Sequence, residues 1–118
     1  MNIEYTLANG GGNSFIIIEK KQINNQFFSK ENIQKLCSHP KINVDALLLI
    51  SKKKPLELKL DYYNRDGSWA SFCANGTRCV GLYYYKKTNL NNFIIQAGDG
   101  PHYISAINNK MKLKMEKP

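Results

Sequence analysis

Apolar and polar positions alternate along much of this chain with the period of strands, and only two stretches carry the three-to-four spacing of helices. Ile3–Leu7 and Ser14–Glu19 read as strands, separated by the glycine-rich segment Asn9-Gly10-Gly11-Gly12-Asn13. Ser29 is placed to cap a short helix over Lys30–Cys37, with Glu31 in the first turn, Pro40 just beyond the end, and Ile33 and Leu36 on one face. Asp45–Ser51 is an unbroken apolar run of the kind found in a buried strand. Leu56-Glu57-Leu58-Lys59-Leu60 alternates strictly and predicts a half-exposed strand with its leucines inward.

Past the Asp66-Gly67 turn signal, the pattern changes. Val80, Leu82, Tyr83, Tyr84 and Tyr85 place apolar bulk on nearly every side of a helix leading to Lys87, as a central helix wrapped by a sheet requires. Tyr83–Tyr85 taken alone also suits a strand. Asn92–Gln96, His102–Ile107 and Met111–Met115 read as strands, with Asn108-Asn109 as the hairpin between the last two. The expected class is α+β, strand-rich, with one important helix. No repeat or linker divides residues 1–118, so a single domain is expected.

Composition narrows the function classes. A hydrophobic share of 42% and a charged share of 22% are ordinary for a globular protein. No run approaches membrane-span length, and the first residues lack the pattern of a secretion signal. The expectation is a cytoplasmic protein without a membrane partner. The net charge of +8 raises nucleic-acid binding. The lysines are scattered, however, and the one run, Lys52-Lys53-Lys54 before Pro55, reads as a solvated turn between strands. No nucleic-acid partner is expected.

Three cysteines, Cys37, Cys73 and Cys79, without a CxxC pair argue against a disulfide framework or a zinc site. Each is either a small buried residue or a reactive thiol. Cys37 and Cys79 fall inside helices and are expected to be structural, Cys79 by burial. Cys73 lies between a turn region and a helix, followed by Ala74, Asn75 and Gly76. Backbone N–H groups left unpaired there, with the helix dipole, can hold a carboxylate or favour a thiolate. A buried cysteine at a tight turn explains the spacing equally well. Asn64 is placed to cap the Arg65-Asp66-Gly67 turn. The glycine segment is not a phosphate loop, since no lysine and Ser/Thr follow it and a strand comes next. Its end, Asn13, can reach a polar ligand. His39 and His102 are expected at the surface or as caps.

Taken together, these motifs resemble the diaminopimelate epimerase family. Asn64-Arg65-Asp66-Gly67-Ser68 through Cys73-Ala74-Asn75-Gly76-Thr77-Arg78-Cys79 is similar to the family's NADGS…CGNGARC signature. Gly10-Gly11-Gly12-Asn13-Ser14-Phe15 resembles its HGLGNDF segment, Asp45-Ala46-Leu47-Leu48 its DQLL segment, and Met115-Glu116-Lys117-Pro118 its MGEP. The resemblance implies a strand-rich, barrel-like domain wound around a central helix, one of two such halves with the active site between them. It further implies one cysteine from each half, working on opposite faces of the substrate α-carbon without pyridoxal phosphate, metal or other cofactor. Carried over, Cys73 is the amino-terminal acid/base. Asn13 and Asn64 contact the amino-acid substrate, and Ala74, Asn75 and Gly76 offer backbone donors.

Several positions depart from the family pattern. Ala46 replaces a glutamine, Ser14 an aspartate, Ala74 a glycine, Trp69 a glutamate and Asn9 a histidine. The second half of the family pattern, with the other cysteine, is absent. The expectation is therefore an amino-terminal half that is inactive alone and needs the missing half or self-association. Its parent would interconvert diaminopimelate stereoisomers in lysine biosynthesis. A proline- or hydroxyproline-type racemase or other isomerase of the same fold, and a non-catalytic binding domain, are the alternatives.

Overall fold

The computed structural model describes residues 4–20, 25–107 and 110–115. Eight strands and two helices follow in the order β1 (Thr6–Gly10), β2 (Asn13–Glu19), α1 (Lys30–Ser38), β3 (Ala46–Lys54), β4 (Glu57–Asn64), β5 (Trp69–Ala70), α2 (Ala74–Thr88), β6 (Asn92–Ala97), β7 (Gly100–Ile107) and β8 (Lys110–Met115). A short 3-10 turn, Asn25–Phe28, precedes α1.

The strands form one mixed sheet in the order β1-β2-β3-β4-β6-β7-β8, with β5 paired to β4. Two neighbouring pairs, β2–β3 and β4–β6, run parallel. A parallel pair needs a crossover, and here each crossover carries a helix. The α1 helix covers one face of the sheet and α2 the other. On β2, Phe15 and Ile17 pack toward α2 while Ile16 and Ile18 pack toward α1. On β3, Ala46, Leu48 and Ile50 face α2, and Leu47 and Leu49 face α1. A strand covered on both faces has no reason to alternate, which explains the unbroken apolar run there. Truncating one of these leucines to alanine would cost about 2–5 kcal/mol.

The sheet curls around α2. That helix contacts β1 and β2 at one end of the sheet and β7 and β8 at the other. Gly76, Thr77, Val80, Gly81 and Tyr84 are its buried residues, a stripe at helical spacing. Its last turn carries Lys86 and Lys87, matched to the negative end of the dipole. Asn89 ends it in the left-handed conformation (φ 62°), its N–H bonded to the Tyr85 carbonyl. Tyr83–Tyr85 are thus helical. Tyr83 reaches out to donate to the Glu19 carboxylate of β2 at 2.6 Å, and Lys87 pairs with the same group.

Several expectations shift in register. The first strand is Thr6–Gly10 rather than Ile3–Leu7, and Ile3 itself lies outside the described residues. The glycine segment shrinks to a two-residue hairpin turn, Gly11-Gly12, with φ of 60° and 88°, because Asn9 and Gly10 pair with Ser14 and Asn13. Lys52-Lys53-Lys54 finishes β3 instead of forming a turn, which falls at Pro55-Leu56. Leu58 and Leu60 point inward as expected, but Leu56 in that turn is 53% exposed. The Asn108-Asn109 hairpin lies outside the described residues.

Candidate active site

The chain enters α2 through Cys73, whose extended backbone (φ −146°, ψ 115°) makes it the N-cap. Its side chain forms no capping bond. Its carbonyl instead accepts twice from Thr77, from the backbone N–H and from Oγ1, both at 2.9 Å. Thr77 is fully buried, and this pair of bonds fixes the first turn without using the thiol. Ala74, Asn75 and Gly76 follow as first-turn residues, whose N–H groups have no carbonyl behind them in the helix. The positive end of the helix dipole adds to the field at this point.

Against this turn packs the β1–β2 hairpin. Asn75 Nδ2 donates to Asn13 Oδ1 at 3.2 Å, which brings two of the residues anticipated from sequence together. A Cβ on Gly11 would lie 2.3 Å from the Asn75 side chain, and one on Gly10 would lie 2.7 Å from Cys79 Sγ. Glycine is required at both places by the closeness of this approach. Behind Asn13, the Ser14 N–H donates to Asp45 Oδ2 at 2.8 Å and the Asp45 N–H donates back to the Ser14 carbonyl at 3.0 Å. The Ser14 bond is the largest of the effects that hold the Asp45 carboxyl below its ordinary range. Ser14, where the family pattern has aspartate, thus pins the hairpin to the head of β3.

Asn64 ends β4 opposite Ala46, on the α2 face of the sheet and at the same end as Asn13. Its amide nitrogen is spent on its own turn, donating to Ser68 Oγ at 3.1 Å, so the capping role read from sequence is present. Ala46 is fully buried in the core beneath the site and offers only a methyl group there. Trp69 pairs with Tyr63, which packs toward α1, so it stands on the opposite face of the sheet from Cys73. It lies across Gly98, with Nε1 3.4 Å from Asp61 Oδ1.

Two expectations need correcting. Cys79 is only partly buried, because the hairpin that covers it meets it through Gly10, which has no side chain. Burial still raises its thiol pKa, and the charge of nearby Cys73 adds to the rise. His102 is neither a surface nor a capping residue. It is fully buried, stacked on Phe72 with ring centroids 4.4 Å apart, and its Nε2 lies 2.7 Å from Asp99 Oδ1. Phe72 directly precedes Cys73, so this stack braces the entry to α2. The other two expectations hold. His39 caps α1, its N–H bonded to the Leu36 carbonyl at 3.3 Å. Cys37 is fully buried, and burial pushes its thiol up to about 11 against a smaller opposing effect of Arg65.

Sequence reasoning missed Tyr62. It follows Leu58 and Leu60 on the same face of β4, so strand alternation carried two residues further would have found it. Its ring meets Phe15 edge-on at 6.3 Å and passes 3.2 Å from the position of a Cβ on Gly76, under the first turn of α2. Burial first, and then the influence of nearby Cys73, raise the pKa of its phenol.

Comparisons with known proteins agree with this geometry. The family model described as diaminopimelate epimerase matches residues 5–118. The diaminopimelate epimerase of Clostridium perfringens (strain 13 / Type A) is 32% identical across 93% of this chain and 42% of its own length. That of Flavobacterium psychrophilum is 38% identical across 80% of this chain and 38% of its own length. The chain therefore spans less than half the length of these relatives. Among solved structures, a phenazine biosynthesis PhzC/PhzF protein from Clostridium difficile (strain 630) superposes with a TM-score of 0.68, covering 91% of this chain and 41% of that one at 14% identity. Methylitaconate-delta-isomerase superposes with a TM-score of 0.67, covering all of this chain and 38% of that one at 12% identity, and both likenesses speak to the fold. From the ordered motifs, the helix wrapped by a mixed sheet and the match over residues 5–118, the chain belongs to the diaminopimelate epimerase family.

Proposed function

We propose that this chain supplies the amino-terminal half-site of a cofactor-independent epimerase that inverts the α-carbon of an amino acid, with diaminopimelate as the substrate. The observation that carries the reading is Cys73 at the N-terminus of α2, its thiol uncapped, followed by three first-turn N–H groups. An α-carboxylate held by the N–H groups of Ala74, Asn75 and Gly76 places the α-carbon within reach of the Cys73 sulfur. Those donors also offset charge that builds on the carboxylate as the α-proton leaves. Cys73 acts as thiolate base in one direction and as thiol acid in the other. Asn13, oriented by Asn75, and Asn64 line the same end of the sheet and contact the substrate's polar groups.

Inversion needs a second acid/base on the opposite face of the α-carbon. The second cysteine comes from a further half of the enzyme, and Cys73 alone exchanges the proton on one face only. A buried methyl at Ala46, in place of the family's glutamine, removes one donor for the substrate, and a smaller amino acid such as proline is the natural competitor. The test is an amide NMR titration of the chain with meso-diaminopimelate and, separately, with proline. Shifts at Ala74, Asn75 and Gly76 that saturate with diaminopimelate support the reading. Saturation with proline alone assigns the site to the racemase branch, and no shift with either ligand leaves the chain a non-catalytic binding domain.

A further inference from the structure

Asn64 closes β4 on the α2 face, and its side-chain amide has two donors at one end and an acceptor at the other. The turn that follows decides which end is left for a ligand. The Ser68 hydroxyl donates its one proton to Asp66 Oδ1 at 2.6 Å, and the Ser68 N–H donates to the same oxygen at 2.8 Å. An ionised carboxylate only accepts, and these bonds from Ser68 are the chief cause that holds the Asp66 carboxyl below its ordinary range. With its proton committed, Ser68 Oγ can only accept from Asn64, so the atom 3.1 Å away is the amide nitrogen. Oδ1 is the free end. Among the described residues no donor meets it, and it is not buried.

The turn that carries this relay is anchored. The Asn64 N–H donates to the Ser68 carbonyl and the Gly67 N–H to the Asn64 carbonyl, both at 2.8 Å. From α1, Gln34 donates to the Asp66 carbonyl at 2.6 Å, while Arg65 donates to Asn43 Oδ1 and to the Val44 carbonyl. Gly67, at φ 89°, lies so close to the start of α1 that a Cβ would fall 2.5 Å from the Lys30 carbonyl oxygen.

We infer that Ser68, oriented by Asp66, is a positioning residue for Asn64: the two lock its amide so that Oδ1 is presented to the site and takes an ammonium group of the substrate. The inference rests on the proposed amino-acid site and deepens it by naming the polar group that Asn64 reads. An amino acid carries a carboxylate and an ammonium. The first-turn N–H groups of α2 suit the carboxylate, and the acceptor oxygen at the end of β4 suits the ammonium. Turning the amide over would set Oδ1 against Ser68 Oγ, two acceptors with no proton between them. It would also aim the Nδ2 protons at the ammonium. Both changes are unfavourable, so the relay selects for a ligand with an amine at that position. Ser68 and Asp66 touch no substrate in this scheme and act only through Asn64.

The experiment titrates the isotopically labelled chain by NMR with meso-diaminopimelate and with pimelate, the same diacid without its amines. At saturation with diaminopimelate, the Asn64 Hδ2 protons keep their nuclear Overhauser contacts to Ser68 Hβ, because the nitrogen stays with the turn. In Ser68→Ala the amide is free to rotate. The dissociation constant for pimelate divided by that for diaminopimelate then falls about three- to tenfold, the worth of one hydrogen bond. Ser68→Thr, which keeps the hydroxyl, restores the ratio. A turn that is merely loosened weakens both ligands alike, so an unchanged ratio in Ser68→Ala overturns the inference. Transfer of the Hδ2 contacts from Ser68 to the ligand in the wild type overturns it as well, and that measurement needs no variant to fold. Either failure, with diaminopimelate still shifting Ala74–Gly76, leaves the proposed function standing. No shift at those amides with either ligand is the failure of the proposed function itself, and the ammonium contact falls with it.

Discussion

Asn75 Nδ2 donates to Asn13 Oδ1 at 3.2 Å, joining the first turn of the central helix to a hairpin 62 residues earlier in the chain. That bond forms only because Gly11, at φ 60°, lets the hairpin close over the Asn75 side chain. Gly11→Ala forces the Asn75 amide aside and strains the turn. It should cost about 1–2 kcal/mol in urea unfolding. Asn13→Ala, which loses the bond without the clash, should cost about 1 kcal/mol. If Gly11→Ala is neutral, the hairpin does not sit on Asn75 as described.

Thr77→Val tests the brace beneath Cys73. Valine keeps the shape and the helical N–H bond but removes the Oγ1 bond to the Cys73 carbonyl. A loss of about 1 kcal/mol is expected on urea unfolding.

The His102 stack predicts a larger effect. His102→Ala removes a fully buried ring from Phe72 and should destabilise by about 2–4 kcal/mol. His102→Phe keeps the stacking surface and loses only the contact with Asp99, whose side chain is 25% exposed and can hydrate. Thermal unfolding of the two variants should therefore rank His102→Phe well above His102→Ala. Equal losses would place the contribution in the Asp99 contact rather than in the stack.

Asp45 sets a dependence on acid. Its carboxyl is held below the ordinary value of 3.8 in the folded chain, chiefly by the Ser14 N–H. A depressed folded pKa means that the stabilisation is fully present above the unfolded value and is lost as pH falls through the folded one. Asp45→Asn should lower the urea midpoint at neutral pH, and the gap from wild type should close as the pH falls below 3.8 and through the depressed folded pKa. A gap that persists in acid would assign the effect to packing rather than to the carboxylate.

What was legible in the chain was whatever a short window contains. The apolar run Asp45–Ser51 announced a buried strand, which became β3, and the small residues after Cys73 announced a helix start with free amides. What stayed hidden depended on partners far away in sequence. His102 needs Phe72, 30 positions earlier, to become a buried stacking residue. Cys79 is left half-covered because its neighbour across the fold happens to be Gly10. Tyr62 meets Gly76 in the first turn of α2 only once β4 and α2 are packed together. β5, two residues long, has no pattern of its own and exists through its pairing with β4. The first strand slid by three residues because the Gly11-Gly12 turn, not the apolar content of Ile3–Leu7, sets where pairing begins.

The central claim is that Cys73 moves the α-proton of an amino acid. Its most direct test is deuterium entry at the α-carbon of diaminopimelate in heavy water, with the chain completed by a carboxy-terminal half of the family. Single variants Cys73→Ala and Cys79→Ala are compared with the parent. Exchange that survives Cys79→Ala and is abolished in Cys73→Ala is the predicted result. Exchange that proceeds equally without Cys73, or no exchange that depends on it, would contradict the account.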